Sequence, residues 1–391
     1  MSEAVLTTLG DVHREPEVQR ALLRVAAEDA ATLEDQCAAT EIAAPLHGET
    51  HRAVWLEVRL RASGTEAPGR DDAGNVQALL PGVPALPPIV LAAHLDTVFD
   101  ADVDVRVRRE DGRLRAPGIS DNSRGLAALV RAAAVLAPLS RRHPLLFVGT
   151  VGEEGAGDLR GVKHLFHDRG LRPAAFLAVD GAGMRRIVHR AIGSRRLRIR
   201  IDGPGGHSWT NRDRPNPVHA LGTVITGLEA LRRASGRSVG ISVGRVGGGT
   251  SINAIPARAW LELDLRAEST PLIAELESRA RRLVRDAVAA HPPLAADVEV
   301  MGDRPAGALS AEHVLVRAAT EATRRLGVEP ELVASSTDAN VPLSLGLPAL
   351  ALGAGGDAGD THTLAEWYRN DGGAAGIQRL VLTVLALDRL L

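Results

Sequence analysis

Apolar residues return every three or four positions across residues 15–40, which predicts an amphipathic helix there. Residues 53–63 (AVWLEVRLRAS) alternate and predict a strand. Residues 87–98 (PPIVLAAHLDTV) are almost continuously apolar, as a strand buried on both faces of an α/β sheet is. A helix is predicted over 121–137, a second buried strand over 144–151 (PLLFVGTV), a short helix near 159–168 and a third buried strand over 174–179 (AAFLAV). Buried strands alternating with helices predict an α/β fold, its mostly parallel sheet covered by helices on both sides.

The pattern changes near residue 190. RRLRIRID (195–202) alternates polar and apolar, as a strand with one wet face does. A helix over 215–234, strands over 239–247 and 257–266, a helix over 271–289 and a strand over 296–301 follow. This β-α-β-β-α-β order predicts an inserted ferredoxin-like α+β domain. The α/β style then resumes, with a helix over 310–326, strands over 331–335 and 348–352 and a terminal helix over 374–390. The expected division is a discontinuous main domain, 1–190 and 303–391, interrupted by an insert at 191–302, about the size of an ordinary domain.

The chain has 391 residues, beyond the usual size of a single core. Hydrophobic residues at 45% and charged residues at 24% are ordinary for a globular protein and argue against disorder. Aromatics reach only 2%, so the core is expected to be packed with Leu, Val, Ile and Ala. A formal net charge of −2 favours neither nucleic acid nor an anionic membrane as partner. Cys37 is the only cysteine, which excludes an intrachain disulfide; it reads as a small buried helix residue. The start MSEAVLTTLGDVHREPE has no basic stretch followed by an apolar run, and no run of 18 apolar residues occurs, so a cytoplasmic location is expected.

Acidic and histidine residues gather where the buried strands end. His94 and Asp96 close VLAAHLDTV and, two apart in a strand, point the same way. Asp121 opens DNSRGLAALV after the PGIS turn. Glu153 and Glu154 follow LLFVGTV, Asp180 follows AAFLAV, and His362 lies in GDTHTLAEW after LPALALG and a glycine loop. Each alone reads as a cap or a solvated loop residue. Their recurrence at successive strand ends, where open α/β sheets bind ligands, points to one crevice. Imidazoles and carboxylates without thiolate suit zinc, cobalt or manganese, and this number of them can hold two ions.

HLDTV, GISDN, GEEG, VDG and the distal HT, in this order, resemble the M20 family of metallopeptidases, over residues of about 50 to 370. That family includes aminopeptidases, carboxypeptidases, dipeptidases and deacylases. The end STDANVPLSLGLPALALGAG with DTHTLAEWY is nearest to its tripeptidase-like members, as in peptidase T.

The resemblance implies a two-zinc amide hydrolase, with cobalt or manganese as alternative metals, acting on short peptides from the amino end. His94 and Asp180 resemble ligands of one metal, Glu154 and His362 ligands of the other, and Asp121 the bridging carboxylate. Asn122 is expected to follow Asp121 across a cis peptide bond. Glu153 resembles the general base that activates the bridging water, and Asp96 the carboxylate that orients His94. In GPGGHSW, His207 matches a residue that reaches the active site of the partner subunit in family dimers. The insert is therefore expected to mediate a homodimer, with 215–234 and 239–247 as contact elements. Asn253, in GGGTSINAIP, and Arg266, in LDLRA, match substrate contacts.

The glycine-rich segment 353–359 lacks the ending of a phosphate loop and reads as a flexible wall of the site. His143, His164, His167, His189 and His219 read as structural or solvated. Two other functions remain open on these residues: removal of an acyl group from an N-acyl amino acid, and a non-catalytic binding protein that has kept the scaffold.

Overall fold

In the computed structural model, which describes residues 2–391, the continuous apolar runs become the centre of a mixed sheet. Leu145–Thr150, Ile89–His94, Ala175–Val179 and Ala349–Leu352 lie side by side in that order, each parallel to the next. Val76–Leu80 and then Glu66–Arg70 extend one side antiparallel. On the other side Arg186–Ala191 runs antiparallel to Ala349–Leu352 and parallel to Glu331–Ser335.

Every residue of Ile89–His94 is buried, as a run without alternation requires. Ile89, Leu91 and Ala93 pack against apolar residues of helices Ser123–Leu136 and Gly373–Leu390. Val90 and Ala92 face the opposite way, into a second cluster with Val162, Leu165, Phe166 and Val341. Because the four central strands are parallel, everything that follows their last residues emerges along one edge of the sheet.

Two expectations fail near the N-terminus. Residues 53–62 are not a strand but lie in helix Thr50–Ala62, which Ser63 caps. Its buried side chains are Arg52, Ala53, Leu56 and Leu60, a spacing of three and four, whereas Val54 and Val58 face solvent. The alternating apolar letters therefore never formed one face. Residues 15–40 are two helices, Pro16–Ala27 and Asp29–Thr40, behind a first helix Ser2–Arg14. Pro16, at the first helical position, lacks the N–H that would continue the preceding helix.

The chain falls into two compact units, one formed by the chain up to Ala191 with Ala308–Leu391, the other by Ile192–Gly307. In the second unit, four antiparallel strands take the order Val239–Gly248, Arg258–Ala267, Gly193–Asp202, Ala295–Arg304. Leu197, Ile199, Ile201, Leu261, Leu263 and Leu265 pack with helices Pro217–Ser235 and Thr270–Ala289, and the alternate residues of these strands form a charged face. This unit ends later than residue 302, because Ala295–Arg304 stays paired with the central strand as far as Arg304 opposite Ser194. Among the described residues no helix is long and apolar enough to cross a membrane.

Candidate metal and catalytic site

The common edge of the parallel strands brings seven of the expected residues together. His94 ends its strand, Asp180 follows Val179, and Glu153 and Glu154 follow Thr150 through Val151 and Gly152. Asp121 sits at the mouth of helix Ser123–Leu136, and His362 on a turn beyond Ala349–Leu352. His94 Nε2 lies 3.0 Å from Asp121 Oδ1 and 3.8 Å from Asp180 Oδ1. His362 Nε2 lies 3.1 Å from Asp121 Oδ2 and 2.8 Å from Glu154 Oε1. The two oxygens of Asp121 thus face different imidazoles. Three overlapping groups have ligand atoms within 4.8 Å of one another: His94, Asp121 and Asp180; His94, Glu153 and Glu154; and Asp121, Glu154 and His362.

The supports around these residues are specific. His94 Nδ1 is 3.1 Å from the backbone oxygen of Asp96 and 3.8 Å from its carboxylate. The Asp96 carbonyl accepts a hydrogen bond from Nδ1–H and leaves Nε2 toward Asp121 and Asp180. The Asp96 carboxylate, fully buried, accepts instead from the backbone N–H groups of Glu153 (3.0 Å) and Glu154 (2.7 Å). One residue thus sets both the His94 tautomer and the glutamate loop. The Asp121–Asn122 peptide is cis. Asn122 Oδ1 accepts from Gly125 and Gly181, each at 3.1 Å, while its Nδ2 donates to the Val179 oxygen at 2.9 Å, so it frames Asp180.

Other residues support the site. Glu366, buried, accepts from the backbone N–H of Gly118, Ser120 and Asp121 and from the Ser120 hydroxyl. Arg124 and Arg379, both fully buried, donate to the backbone oxygens of Ala354 and Gly353. The glycine segment read as a flexible wall is in fact clamped by two guanidinium groups. Gly356 there has a φ of +78°, and a side chain on it would run into the Tyr368 ring. Thr150, beside His94 in the sheet, donates to Asp338 at 2.5 Å. Burial pushes Asp338 up to about 6 against that hydrogen bond. A signal was available for the arginines: each is a lone charge within an apolar stretch, RGLAALV or RLVLTVLAL.

The charge balance shows what the cluster would accept. Burial alone would strip the proton from His94, but hydrogen bonds and charge from Asp121, Asp180 and Asp96 outweigh it and hold the ring well above its ordinary value. Hydrogen bonds donated to the Asp121 and Glu154 carboxylates raise His362 to about 10. Burial would raise Asp121, yet its hydrogen bonds to His362 and His94 outweigh that and keep it below the usual carboxylate range. Among the described residues the ion pairs of Asp121, Asp180 and Glu154 are all with imidazoles. The site draws protons onto its two histidines as the nearest source of positive charge. Nitrogen and oxygen donors so arranged fit divalent cations of the zinc type.

The remaining three expected residues lie in the second unit. His207 and Asn253 share one tip: Gly206–His207 pairs with Ala254–Ile255, and Ser208 N–H donates to the Asn253 oxygen at 3.0 Å. His207 Nδ1 accepts from the N–H groups of Trp209 (3.2 Å) and Thr210 (3.3 Å), so in the neutral ring the proton sits on Nε2. Arg266 is elsewhere. It pairs with Ser194, at the opposite end of the strand from Asp202, which leads into the glycine turn. Eight residue steps lie between Ser194 and Asp202, about 27 Å. Its Nε donates to Asp264 at 2.7 Å.

Comparison with known proteins bears on the fold and the family. A tripeptidase from Staphylococcus aureus subsp. aureus Mu50 is similar in structure, with a TM-score of 0.75 at 20% identity, covering 92% of this chain and 97% of that one. A dinuclear metal binding peptidase of the M20 family from Bacillus subtilis, YxeP, gives a TM-score of 0.71 at 18% identity, over 94% and 99% of the two chains. In sequence, the N-acetylcysteine deacetylase of Bacillus subtilis (strain 168) is 28% identical over 179 residues, spanning 44% of this chain and 45% of that relative. The structural matches establish the fold. The model of peptidase family M20/M25/M40 matches residues 90–386, from the His94 strand through His362 into the last helix, and the chain belongs to that family.

Proposed function

We propose that the protein is a two-metal amide-bond hydrolase that trims short peptides from the amino end. The observation that carries this reading is Asp121, whose Oδ1 lies 3.0 Å from one imidazole and whose Oδ2 lies 3.1 Å from the other. His94, Asp180 and Asp121 would hold one ion; Asp121, Glu154 and His362 would hold the second. Zinc is the first candidate, and cobalt or manganese would be accepted by the same donors. Two divalent ions there would polarise the scissile carbonyl and make a water a stronger nucleophile at neutral pH.

Glu153, buried beside His94 and Glu154, serves as the base. It takes a proton as the water oxygen bonds to the carbonyl carbon. It gives that proton to the amide nitrogen as the carbon–nitrogen bond breaks, releasing an amine and a carboxylic acid. Asp96 holds Glu153 and Glu154 by their backbone N–H groups and sets the His94 tautomer. His207, with its proton on Nε2, is a donor suited to the oxyanion that develops on the carbonyl. Asn253, on the same tip, and Arg266 bind the substrate, the arginine through a carboxylate. We infer a homodimer in which His207 serves the partner's site, supported by the match of its segment GPGGHSW to the family insert.

A second reading is removal of the acyl group from an N-acyl amino acid, favoured by the similarity to the deacetylase. One experiment separates the two. Amine release is measured from di- and tripeptides and from N-acyl amino acids, with added zinc or cobalt and again after chelation. The proposal expects cleavage of free-amine peptides that chelation abolishes. Turnover of N-acyl amino acids alone would move the function to the second reading. No turnover with metal bound would leave a binding protein.

A further inference from the structure

We infer that Glu366 is a positioning residue that fixes the metal position on the His362 side of Asp121, while the His94 side stands without it. The inference rests on the two-metal reading above. Glu366 is fully buried, and its two carboxylate oxygens receive four donors from one loop. Oε2 accepts from Gly118 N (3.0 Å), and Oε1 accepts from Ser120 N (2.8 Å), Ser120 Oγ (2.7 Å) and Asp121 N (3.0 Å). Its backbone joins the other loop. Its N–H donates to Thr363 O at 3.2 Å, closing the turn after His362, and its oxygen accepts from Ala116 N at 3.2 Å. A single side chain thus ties the segment presenting Asp121 to the turn presenting His362, more than two hundred residues later in the chain.

The two sides depend on this tie unequally. His94 is the last residue of a central strand, is almost completely buried, and is oriented by the Asp96 carbonyl. Asp180 is framed by Asn122, which also holds the helix mouth on the far side of Asp121. His362 belongs to no helix or strand. Its side chain is 50% exposed, and its backbone sits at a φ of +66°, in the left-handed region that histidine occupies only when its surroundings hold it there. What holds it is the short turn of Asp360, Thr363 and Glu366. The antiparallel pairing of Trp367 with Arg115 and Tyr368 with Leu114 joins the same two segments by backbone bonds alone, so the chain can fold when the carboxylate is changed.

Glu366→Gln keeps the shape but replaces one oxygen by an NH2 group, which faces N–H donors and accepts from none of them. The full-length chain is titrated with zinc against a chromogenic chelator. The wild type is expected to bind two equivalents. Glu366→Gln should keep one equivalent at wild-type affinity and bind the other about 10- to 100-fold more weakly, the scale on which residues behind a ligand act. Lost turnover should return at high zinc. Ser120→Ala, which removes one of the four donors, should weaken the same equivalent by a smaller factor.

Equal weakening of both equivalents, or no weakening, would overturn the proposal. If Glu366→Gln does not fold, Ser120→Ala decides: two wild-type affinities there would also overturn it. A wild type that binds fewer than two equivalents would instead sink the two-metal reading on which the proposal stands.

Discussion

Two regions of the molecule crowd carboxylates against cations, and they do it differently. On the charged face of the second unit's sheet Glu262, Asp264 and Asp202 have arginine partners. Glu262 is 2.6 Å from Arg198 and 3.2 Å from Arg245, Asp264 is 2.7 Å from Arg266, and Asp202 is 2.6 Å from Arg258. These pairs are complete: the Arg198 hydrogen bond holds Glu262 below its ordinary value, and the Arg258 hydrogen bond does the same for Asp202. At the edge of the parallel sheet the ion pairs of Asp121, Asp180 and Glu154 among the described residues are with imidazoles, which take up protons to compensate. The first array is closed by its own side chains. The second is short of positive charge, which an added cation would supply. Counting charged residues would not tell them apart; the kind of cation opposite each carboxylate does.

That contrast can be broken in order of expected effect. Glu153→Ala should lower kcat by about 10²- to 10⁴-fold while both metal equivalents remain bound, measured by turnover and by metal analysis of the purified variant. Full activity in that variant would remove Glu153 from the chemistry. His207→Ala should cost about 10²- to 10³-fold in turnover, the scale of one oxyanion donor, again with metal content unchanged. Unaltered rates would take the second unit out of the mechanism. Asp96→Asn should weaken metal binding by about 10- to 100-fold, because the glutamate loop loses an acceptor it shares with two N–H groups.

Glu262→Gln, in the closed array, should leave metal content and turnover unchanged and move the thermal midpoint by about one or two degrees, less in high salt. Because the folded pKa of Glu262 is lowered, the wild-type advantage is present above the ordinary carboxylate range. It disappears as the pH falls through the folded value. A midpoint difference that grew on acidification would contradict the pairing.

Much of this was legible in the chain, and what was not has physical causes. Short continuous apolar runs bounded by turns suit strands buried on both faces of a sheet, so the parallel strands, and with them the positions of His94, Glu153, Glu154 and Asp180, could be read from the pattern. Asp121 and His362 needed motif order, because each stands on a loop whose path local pattern does not determine. The helix at Thr50–Ala62 was misread because Val54, Leu56, Val58 and Leu60 alternate like a strand although only Leu56 and Leu60 are buried. Glu366 could be placed near His362, but its partners at Gly118, Ser120 and Asp121 are mostly backbone N–H groups, which no residue letter advertises. The pairing of Asp96 with the His94 ring runs mainly through its carbonyl, so the residue was legible and the atom was not.

The central claim is that Asp121 stands between two metal ions. It is tested most directly by growing crystals with zinc and collecting diffraction data above and below the zinc absorption edge. The account predicts two anomalous peaks, one among His94, Asp180 and Asp121 and the other among His362, Glu154 and Asp121. A single peak, or peaks away from both oxygens of Asp121, would contradict it.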